Sequence, residues 1–167
     1  MRETITYDDV LLVPQYSGIT SRSMVDLKQM LDGDLSLDIP IISSPMDTIT
    51  EVDMATAINQ MGGLGIIHRY NTIEQQTAMV RKVSGLVGAA VGVTGDFEER
   101  SAALYDAGAR IFCIDVAHGH HILMERALKT LKDIYGRDVH LMAGNVATLE
   151  GFNDLADWGA DSVRCNI

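Results

Sequence analysis

The stretch LYDAGARIFCID (residues 104–115) recurs as LADWGADSVRCN (residues 155–166), with Leu, Asp and Gly-Ala in register. In each copy a segment of helical spacing ends at Gly-Ala, and an apolar run follows. Because glycine is favoured just past the last turn of a helix, each copy is interpreted as a helix end, a glycine and a strand. The repeat predicts a chain of strand and helix units, with Asp115 and Asn166 at equivalent carboxyl ends of strands.

Short apolar runs recur along the rest of the chain. They are continuous rather than alternating, which is typical of strands buried on both faces of a parallel sheet. Six strands are predicted, in IPIISSPM (39–46), GGLGIIH (62–68), VGAAVGV (87–93), RIFCIDVAHG (110–119), VHLMAGNV (139–146) and DSVRCNI (161–167). Helices are predicted between them, in TEVDMATAINQMG (50–62), NTIEQQTAMVRKV (71–83), GDFEERSAALYDAG (95–108), HHILMERALKTLKDIYG (120–136) and TLEGFNDLADWG (148–159). Thr50 is a candidate helix cap, and Thr72 with Gln75 has the spacing of a capping box.

This alternation favours a parallel sheet, either open and doubly wound or closed as a (β/α)8 barrel. A barrel needs eight units and typically ~250 residues. With 167 residues and six predicted strands, we expect one domain over residues 1–167 that forms a partial barrel. Its first six strands are present, its last two units are missing, and its last strand keeps an open edge.

Composition excludes several classes of protein. A formal net charge of −10 argues against a broad basic surface for nucleic acid. No run reaches the ~18 apolar residues of a membrane span, and the amino terminus lacks the apolar core of a signal peptide. The two cysteines, Cys113 and Cys165, lie far apart in apolar segments and are predicted to be buried, inert thiols. Free buried thiols are typical of a reducing compartment, so a cytoplasmic location is expected.

Polar residues follow the predicted strands directly. Ligands of parallel α/β folds bind at this end of the strands. An alternative is that these residues serve only as loop and cap residues. The polar residues that follow the strands are Asp47, His68, Arg69, Asp115, His118, Asn145 and Thr148. The HGHH run (118–121) has neither the spacing nor the neighbours of a metal site, and no metal site is predicted.

Six motifs together resemble the inosine monophosphate dehydrogenase and guanosine monophosphate reductase family. They are TYDDVLLVPQYSGITSR (6–22), IPIISSPMDTITE (39–51), GGLGIIHRYNTIEQQ (62–76), VGAAVG (87–92), CIDVAHGH (113–120) and AGNVAT (143–148). The resemblance covers nearly the whole chain and implies a (β/α)8 barrel that binds a purine mononucleotide beside a nicotinamide dinucleotide. Dehydrogenases of this kind oxidise the purine with NAD through a cysteine adduct, and the reductases deaminate guanosine monophosphate with NADPH.

The resemblance also implies roles for particular residues. Substrate-binding roles fall on Ser44, Met46, Asn145 and Arg164. Cofactor-binding roles fall on Asp115, Ala117, His118 and Asn166. Asp115 corresponds to the aspartate that binds the nicotinamide ribose. Asn166 departs from the glycine that is usual there, which puts its role in doubt.

No catalytic residue is predicted within the chain, because the family's nucleophilic cysteine lies on the loop after strand six, beyond Ile167. The fragment alone is therefore expected to be inactive and to need a complementary carboxy-terminal barrel segment. A monovalent cation such as potassium is expected at that loop, and a homotetramer when the barrel is complete. No regulatory module of cystathionine-β-synthase type is expected, since RKVSGLVGAAVG (81–92) leads directly into a strand.

The resemblance leaves the reaction open. SSPMDTITE and VGAAVG favour a dehydrogenase, while IIHRYN and CIDVAHGH favour a reductase. We predict the amino-terminal part of a dehydrogenase that converts inosine monophosphate into xanthosine monophosphate with NAD. The alternatives are a guanosine monophosphate reductase using NADPH and a non-enzymatic module that binds purine nucleotides or assists assembly.

Overall fold

A computed structural model describes residues 6–33 and 35–165 of the chain. Its strands are β1 (Gln29–Asp32), β2 (Leu35–Leu37), β3 (Ile42–Ser43), β4 (Leu64–Ile67), β5 (Val87–Val91), β6 (Ile111–Asp115), β7 (His140–Val146) and β8 (Ser162–Cys165). Its α-helices are α1 (Val52–Gln60), α2 (Ile73–Lys82), α3 (Phe97–Asp106), α4 (Ile122–Tyr135) and α5 (Leu149–Asp157). The six predicted strands and five predicted helices are confirmed, with shorter bounds.

Strands β3 to β8 form one parallel sheet in which every strand pairs with its neighbour in sequence. A doubly wound sheet reverses its strand order at a switch point, and this sheet has no reversal over the described residues. The fold is therefore the first six strands of a (β/α)8 barrel, curled and open at β3 and β8.

The connection between α2 and β5 consists of residues 83–86 alone. The organisation of residues 1–167 as one domain stays a prediction.

Alternate side chains along each strand meet different partners on the two faces of the sheet. The outer face packs against all five helices, and its strand residues include Ile67, Ala89, Val91, Phe112, Ile114, Leu141 and Ala143. The inner face includes Leu64, Ile66, Ala90, Ile111, Cys113 and Met142, and within residues 6–33 and 35–165 no helix contributes to that buried cluster. A helix layer on one face only is the arrangement of a barrel, which decides between the two folds that the sequence left open.

An antiparallel hairpin, β1–β2, covers the amino-terminal end of the inner face. Leu37 belongs to the same buried cluster as Leu64 and Ile111, the first residues of β4 and β6. This hairpin was not predicted from the sequence, because strands of four and three residues carry too short a pattern to identify. It closes that end of the interior with apolar side chains.

The helix ends of the sequence repeat have the same geometry. Gly108 has φ 106° and Gly159 has φ 109°, a left-handed conformation that favours glycine. In each copy the amide of the next alanine donates to a leucine carbonyl five residues back, from Ala109 to Leu104 and from Ala160 to Leu155, both at 3.0 Å. The interpretation as helix end, glycine and strand is confirmed for both copies.

The two predicted helix caps have different outcomes. Thr72 accepts a hydrogen bond from the amide of Gln75, whose side chain accepts one from Thr72, so the capping box is confirmed. Thr50 was wrong as a cap, because α1 has Glu51 in that position. The Thr50 hydroxyl is buried and donates to the Ser44 carbonyl oxygen at 2.6 Å.

No helix of the described residues has the length and apolar character that crossing a bilayer requires.

A buried polar network ties two βα units, β4–α2 and β5–α3, together on the outer face. The side-chain amide of Gln76 donates to the Ala90 carbonyl at 2.8 Å, and the Arg100 guanidinium donates to Gln76 Oε1 at 2.8 Å. Arg100 also donates to the Asn71 carbonyl and to Asp96. The Arg100 hydrogen bond holds the pKa of the Asp96 carboxyl below its usual value. That ion pair therefore stabilises the fold above the ordinary carboxyl pKa and less as the pH falls below it.

Replacing Gln76 with leucine is expected to lower the free energy of unfolding by about 2–3 kcal/mol. The substitution puts an apolar side chain of similar size in place of the carboxamide, which removes the hydrogen-bond donor to the Ala90 carbonyl and the acceptor for one Arg100 donor. Urea unfolding monitored by circular dichroism measures the effect. Gln60→Leu, at an exposed position at the end of α1, is the matched control. Equal midpoints for the two variants would contradict the role of the network.

Candidate functional site

The Asp115 carboxylate lies at the carboxyl end of β6, on the inner face of the sheet. Arg164 on β8 donates from Nη1 to Asp115 Oδ1 at 2.5 Å, across the intervening strand β7. Both side chains are largely buried, with 16% and 26% exposed. The pair joins two residues 49 positions apart, one predicted for the cofactor and one for the substrate.

Cys113 lies one inward-facing position below Asp115 on β6. Its thiol is fully buried, and Arg164 Nη1 approaches its sulfur at 3.4 Å. Burial raises the pKa of the Cys113 thiol to about 11, although the Arg164 charge opposes that shift. The thiol is thus neutral near pH 7, and the interpretation of Cys113 as a buried, inert residue agrees with this environment.

Asn145 is half-buried near the carboxyl end of β7. The main-chain amide of Asn145 donates to the Val116 carbonyl at 2.8 Å, and its main-chain carbonyl accepts from the Gly119 amide at 2.7 Å. These two hydrogen bonds fix the β6–α4 loop against β7. A side chain at Gly119 would lie 3.0 Å from the Asn145 carbonyl oxygen, so this loop needs glycine for close approach. Asn145 Oδ1 is buried and has no hydrogen-bond partner among the described residues. This acceptor can therefore take a hydrogen bond from a ligand.

Ser44 and Met46 lie at the opposite edge of the sheet, in the loop after β3. Both side chains are exposed. The Ser44 carbonyl accepts from the Thr50 hydroxyl and from the Met46 amide at 2.8 Å, so the loop folds back on itself in a fixed turn. No hydrogen bond among the described residues connects Ser44 or Met46 with Asp115, Asn145 or Arg164.

The loop after β4 adds a pair of side chains, His68 and Glu51, that the predicted substrate- and cofactor-binding residues did not include. His68 is 3% exposed, and its Nδ1 accepts from the Tyr70 amide at 3.2 Å. Its Nε2 therefore carries the proton of the neutral ring and donates to Glu51 Oε1 at 3.2 Å. The pair connects the end of β4 to the start of α1, and only the rim position of His68 was visible in the sequence.

Arg69 brings a second cation to Asp115. Its guanidinium donates to the Asp115 main-chain carbonyl at 3.3 Å and packs over Gly92, where a side chain would contact it. Its Nε is buried without a hydrogen-bond partner among the described residues. In a chain of net charge −10, two arginines beside one aspartate make this part of the rim locally positive.

Other polar residues of the rim stabilise the fold. His120 Nε2 lies 2.7 Å from Asp154 of α5, His121 accepts the Leu123 amide at the start of α4, and Thr148 caps α5. Ala117 and His118 lie exposed in the β6–α4 loop. The three histidines of the HGHH run thus have different environments: His118 is exposed, His120 contacts α5, and His121 caps α4.

Two predictions concern the end of β8. The prediction that Cys165 is buried was wrong, because this residue lies exposed at the last described position of β8, the edge strand of the sheet. Asn166, a predicted cofactor contact, lies outside the described residues. Among the predicted site residues, the structure brings Asp115 and Arg164 into direct contact and connects Asn145 to the loop that carries Ala117 and His118.

Residues 4–167 match the profile of the IMP dehydrogenase / GMP reductase domain. The match covers nearly the whole chain, including every strand and helix of the sheet described above. This protein belongs to the IMP dehydrogenase / GMP reductase family. Members of this family are oxidoreductases that act on purine mononucleotides.

The similarity extends to solved and curated members of the family. The crystal structure of inosine 5′-monophosphate dehydrogenase from Legionella pneumophila superposes with a TM-score of 0.88 and 44% identity, over 96% of this chain and 50% of that one. Inosine-5′-monophosphate dehydrogenase from Nitrosopumilus maritimus is 29% identical over 99% of this chain and 61% of its own. A GMP reductase from Leishmania major is 26% identical with the same coverages. The chain thus spans about half to three fifths of the length of these family members.

In this IMP dehydrogenase / GMP reductase family member, the Cys113 thiol is expected to resist alkylation in the folded state. A Cys165→Ser variant, in which Cys113 is the remaining thiol, should react with iodoacetamide at pH 8 at least about 100-fold more slowly folded than in urea, because the thiol is neutral and shielded. Mass spectrometry of timed samples measures the rate. Rapid stoichiometric labelling without denaturant would contradict the buried position of Cys113.

Proposed function

We propose that this protein supplies the amino-terminal six βα units of an IMP dehydrogenase, which oxidises inosine monophosphate to xanthosine monophosphate with NAD. The observation that carries the proposal is the Asp115–Arg164 pair at the carboxyl ends of β6 and β8, within a chain that matches the family over residues 4–167. The predominance of dehydrogenases among the similar curated proteins supports this reaction over the reductase.

The donors and acceptors of the rim fit a nicotinamide dinucleotide. Asp115 Oδ1 is engaged by Arg164, and no hydrogen bond among the described residues reaches Oδ2. A carboxylate oxygen in this position can accept the hydroxyls of a ribose. The exposed Ala117 and His118 lie two and three residues further along the same loop. When bound, the oxidised dinucleotide supplies a hydride acceptor. The chain's own part is to hold the ribose and orient it through Asp115.

The substrate side of the site is formed by β7 and the loop after β3. The buried Asn145 Oδ1 has no partner among the described residues and suits a hydroxyl donor such as that of a nucleotide ribose. The locally positive surroundings of Arg69 and Arg164 favour an anionic ligand, although the chain as a whole is acidic. Ser44 and Met46, fixed by the buried Thr50 hydroxyl, complete the proposed nucleotide contacts from the other edge.

The reacting thiol is proposed to come from a segment that follows the sixth barrel strand. Cys113 is buried and neutral, and Cys165 lies on a strand rather than on a loop. The segment that carries the thiol would also cover apolar side chains that are now exposed. Leu11 and Leu12 are 95% and 97% exposed, and Ile41 beside β3 is 52% exposed. Monovalent-cation binding at the cysteine loop, a homotetramer of completed barrels and a cytoplasmic location belong to the same proposal.

A reductase is the second candidate. The match to the GMP reductase of Leishmania major, over 99% of this chain, favours it specifically. It would deaminate guanosine monophosphate with NADPH on the same barrel, and Asp115 would hold the ribose of that dinucleotide. The two reactions differ in substrate, cofactor and product, so a single preparation can distinguish them.

Co-expression tests the function. The chain is expressed with the part of the Legionella dehydrogenase that follows the region matched here, and the complex is isolated by gel filtration. We expect NADH formation from inosine monophosphate by the complex and none by the 167-residue chain alone. NADPH oxidation by guanosine monophosphate would instead support the reductase. A stable complex without either activity contradicts both.

Asp115→Ala in that complex is expected to lower kcat/KM for NAD by about 10- to 100-fold, since a hydrogen bond to a charged group is worth about 1.5–3 kcal/mol. Asp133→Ala, on the exposed side of α4, removes the same charge away from the site and should leave kcat/KM unchanged. Equal losses in the two variants would contradict the cofactor role of Asp115.

A further inference from the structure

A second cluster of polar residues lies at the amino-terminal end of the sheet, opposite the proposed catalytic rim. Asp32 ends hairpin strand β1, His140 begins β7, and Asp161 immediately precedes β8. One ligand atom from each lies within 4.8 Å of the other two. The cluster borders a cleft of about 670 Å³ beneath the hairpin. Three separate parts of the fold therefore present imidazole and carboxylate groups to one point.

His140 is the buried member of the cluster. Its side chain is 5% exposed, and its Nδ1 has no hydrogen-bond partner among the described residues. The other ring nitrogen, Nε2, lies 2.8 Å from the Ser162 hydroxyl. If Nε2 donates to Ser162, Nδ1 presents a lone pair toward Asp32. Metal-binding histidines commonly have this arrangement, in which one nitrogen donates to a fixed acceptor and the other is left to bind the ion.

The separation of His140 and Asp32 suits a shared metal ion. His140 Nδ1 and Asp32 Oδ2 are 3.4 Å apart, which is long for a direct hydrogen bond. Two ligands bound at roughly 2.1 Å with tetrahedral angles lie about 3.4 Å from each other. The observed distance thus fits two corners of a tetrahedral site.

Asp161 is oriented before any ion binds. Its Oδ2 accepts the Leu141 amide at 2.8 Å, and its Oδ1 accepts from Lys132 at 2.7 Å. An outer hydrogen bond from a main-chain amide is the kind of support that metal-binding carboxylates have. Lys132 is 31% exposed on a flexible side chain and can withdraw toward solvent. Its ammonium then no longer competes for the carboxylate.

The remaining charges of the cleft do not neutralise the cluster. Arg110 is engaged elsewhere, because it donates to the Tyr105 and Ala109 carbonyls and stacks on the Tyr105 ring at 3.8 Å. Arg137 and Asp138 line the same cleft and offset each other in charge. The two cluster carboxylates therefore face the His140 imidazole and the partly exposed Lys132 ammonium.

We propose that Asp32, His140 and Asp161 bind a divalent transition-metal ion such as Zn²⁺, with water completing its coordination. One nitrogen and two oxygen ligands are a set that Zn²⁺ accepts. The ion joins the hairpin to β7 and β8, and so fixes the cover over the amino-terminal end of the barrel interior. This site is separate from the proposed oxidoreductase site and does not depend on that function.

Zinc titration of the chelator-treated chain by calorimetry tests the proposal. We expect one zinc ion per chain and a higher unfolding temperature when it is bound, because the ion binds the folded state. Asp32→Asn, at a residue 51% exposed in its side chain, should fold normally and weaken zinc binding by at least about 10- to 100-fold. Ser162→Ala removes no ligand but frees the His140 ring, and should weaken binding by about 10-fold or more.

Asp138→Asn is the matched control, because it makes the same charge change in the same cleft outside the three ligands. It should bind zinc as the unaltered chain does. Co²⁺ substitution gives an independent readout, since a tetrahedral nitrogen and oxygen site produces visible absorption that Asp32→Asn should abolish. The proposal is overturned if the unaltered chain binds no zinc, if Asp32→Asn binds as tightly as the unaltered chain, or if Asp138→Asn weakens binding as much as Asp32→Asn.

Discussion

The alternation of side chains along six parallel strands determines the rest of this structure. Because every second residue faces the helices and the others face the interior, a residue's place in its strand decides its surroundings. Cys113 and Asp115 are two residues apart and share the inner face. Phe112 precedes Cys113 and Ile114 lies between Cys113 and Asp115, and both face the helices. A shift of one residue in β6 would exchange these two sets, so hydrophobic packing on the outer face also fixes Asp115 in the interior.

Much of this fold was predictable from the sequence, because its signals are local. The Gly-Ala repeat predicted two helix ends that have the same left-handed glycine and the same hydrogen bonds. Continuous apolar runs located all six sheet strands, and the Thr72 capping box located the start of α2. The choice between a barrel and a doubly wound sheet was not predictable from these signals alone, because it depends on which face of the sheet the helices cover.

The candidate site was less accessible to sequence reasoning. Its residues come from strand ends that meet only after folding, and their roles came from family resemblance rather than from spacing. Thr50 shows the difficulty: its position suits a helix cap, but its hydroxyl instead fixes the loop after β3. Asp32 and His140 are 108 positions apart (140 − 32), and no spacing rule would bring them together. No metal site was predicted, because the adjacent histidines of the HGHH run lack ligand spacing and the Asp32–His140–Asp161 cluster forms only on folding.

The Asp115–Arg164 pair has a consequence for ligand recognition. An isolated carboxylate inside a protein would be costly to desolvate and free to rotate, whereas this one is already paired and held in one orientation. In the proposed function, the ribose that binds Asp115 would therefore meet an acceptor that is preorganised. The entropy lost in fixing that side chain belongs to the folding of the sheet, and little of it remains to oppose association with a ligand.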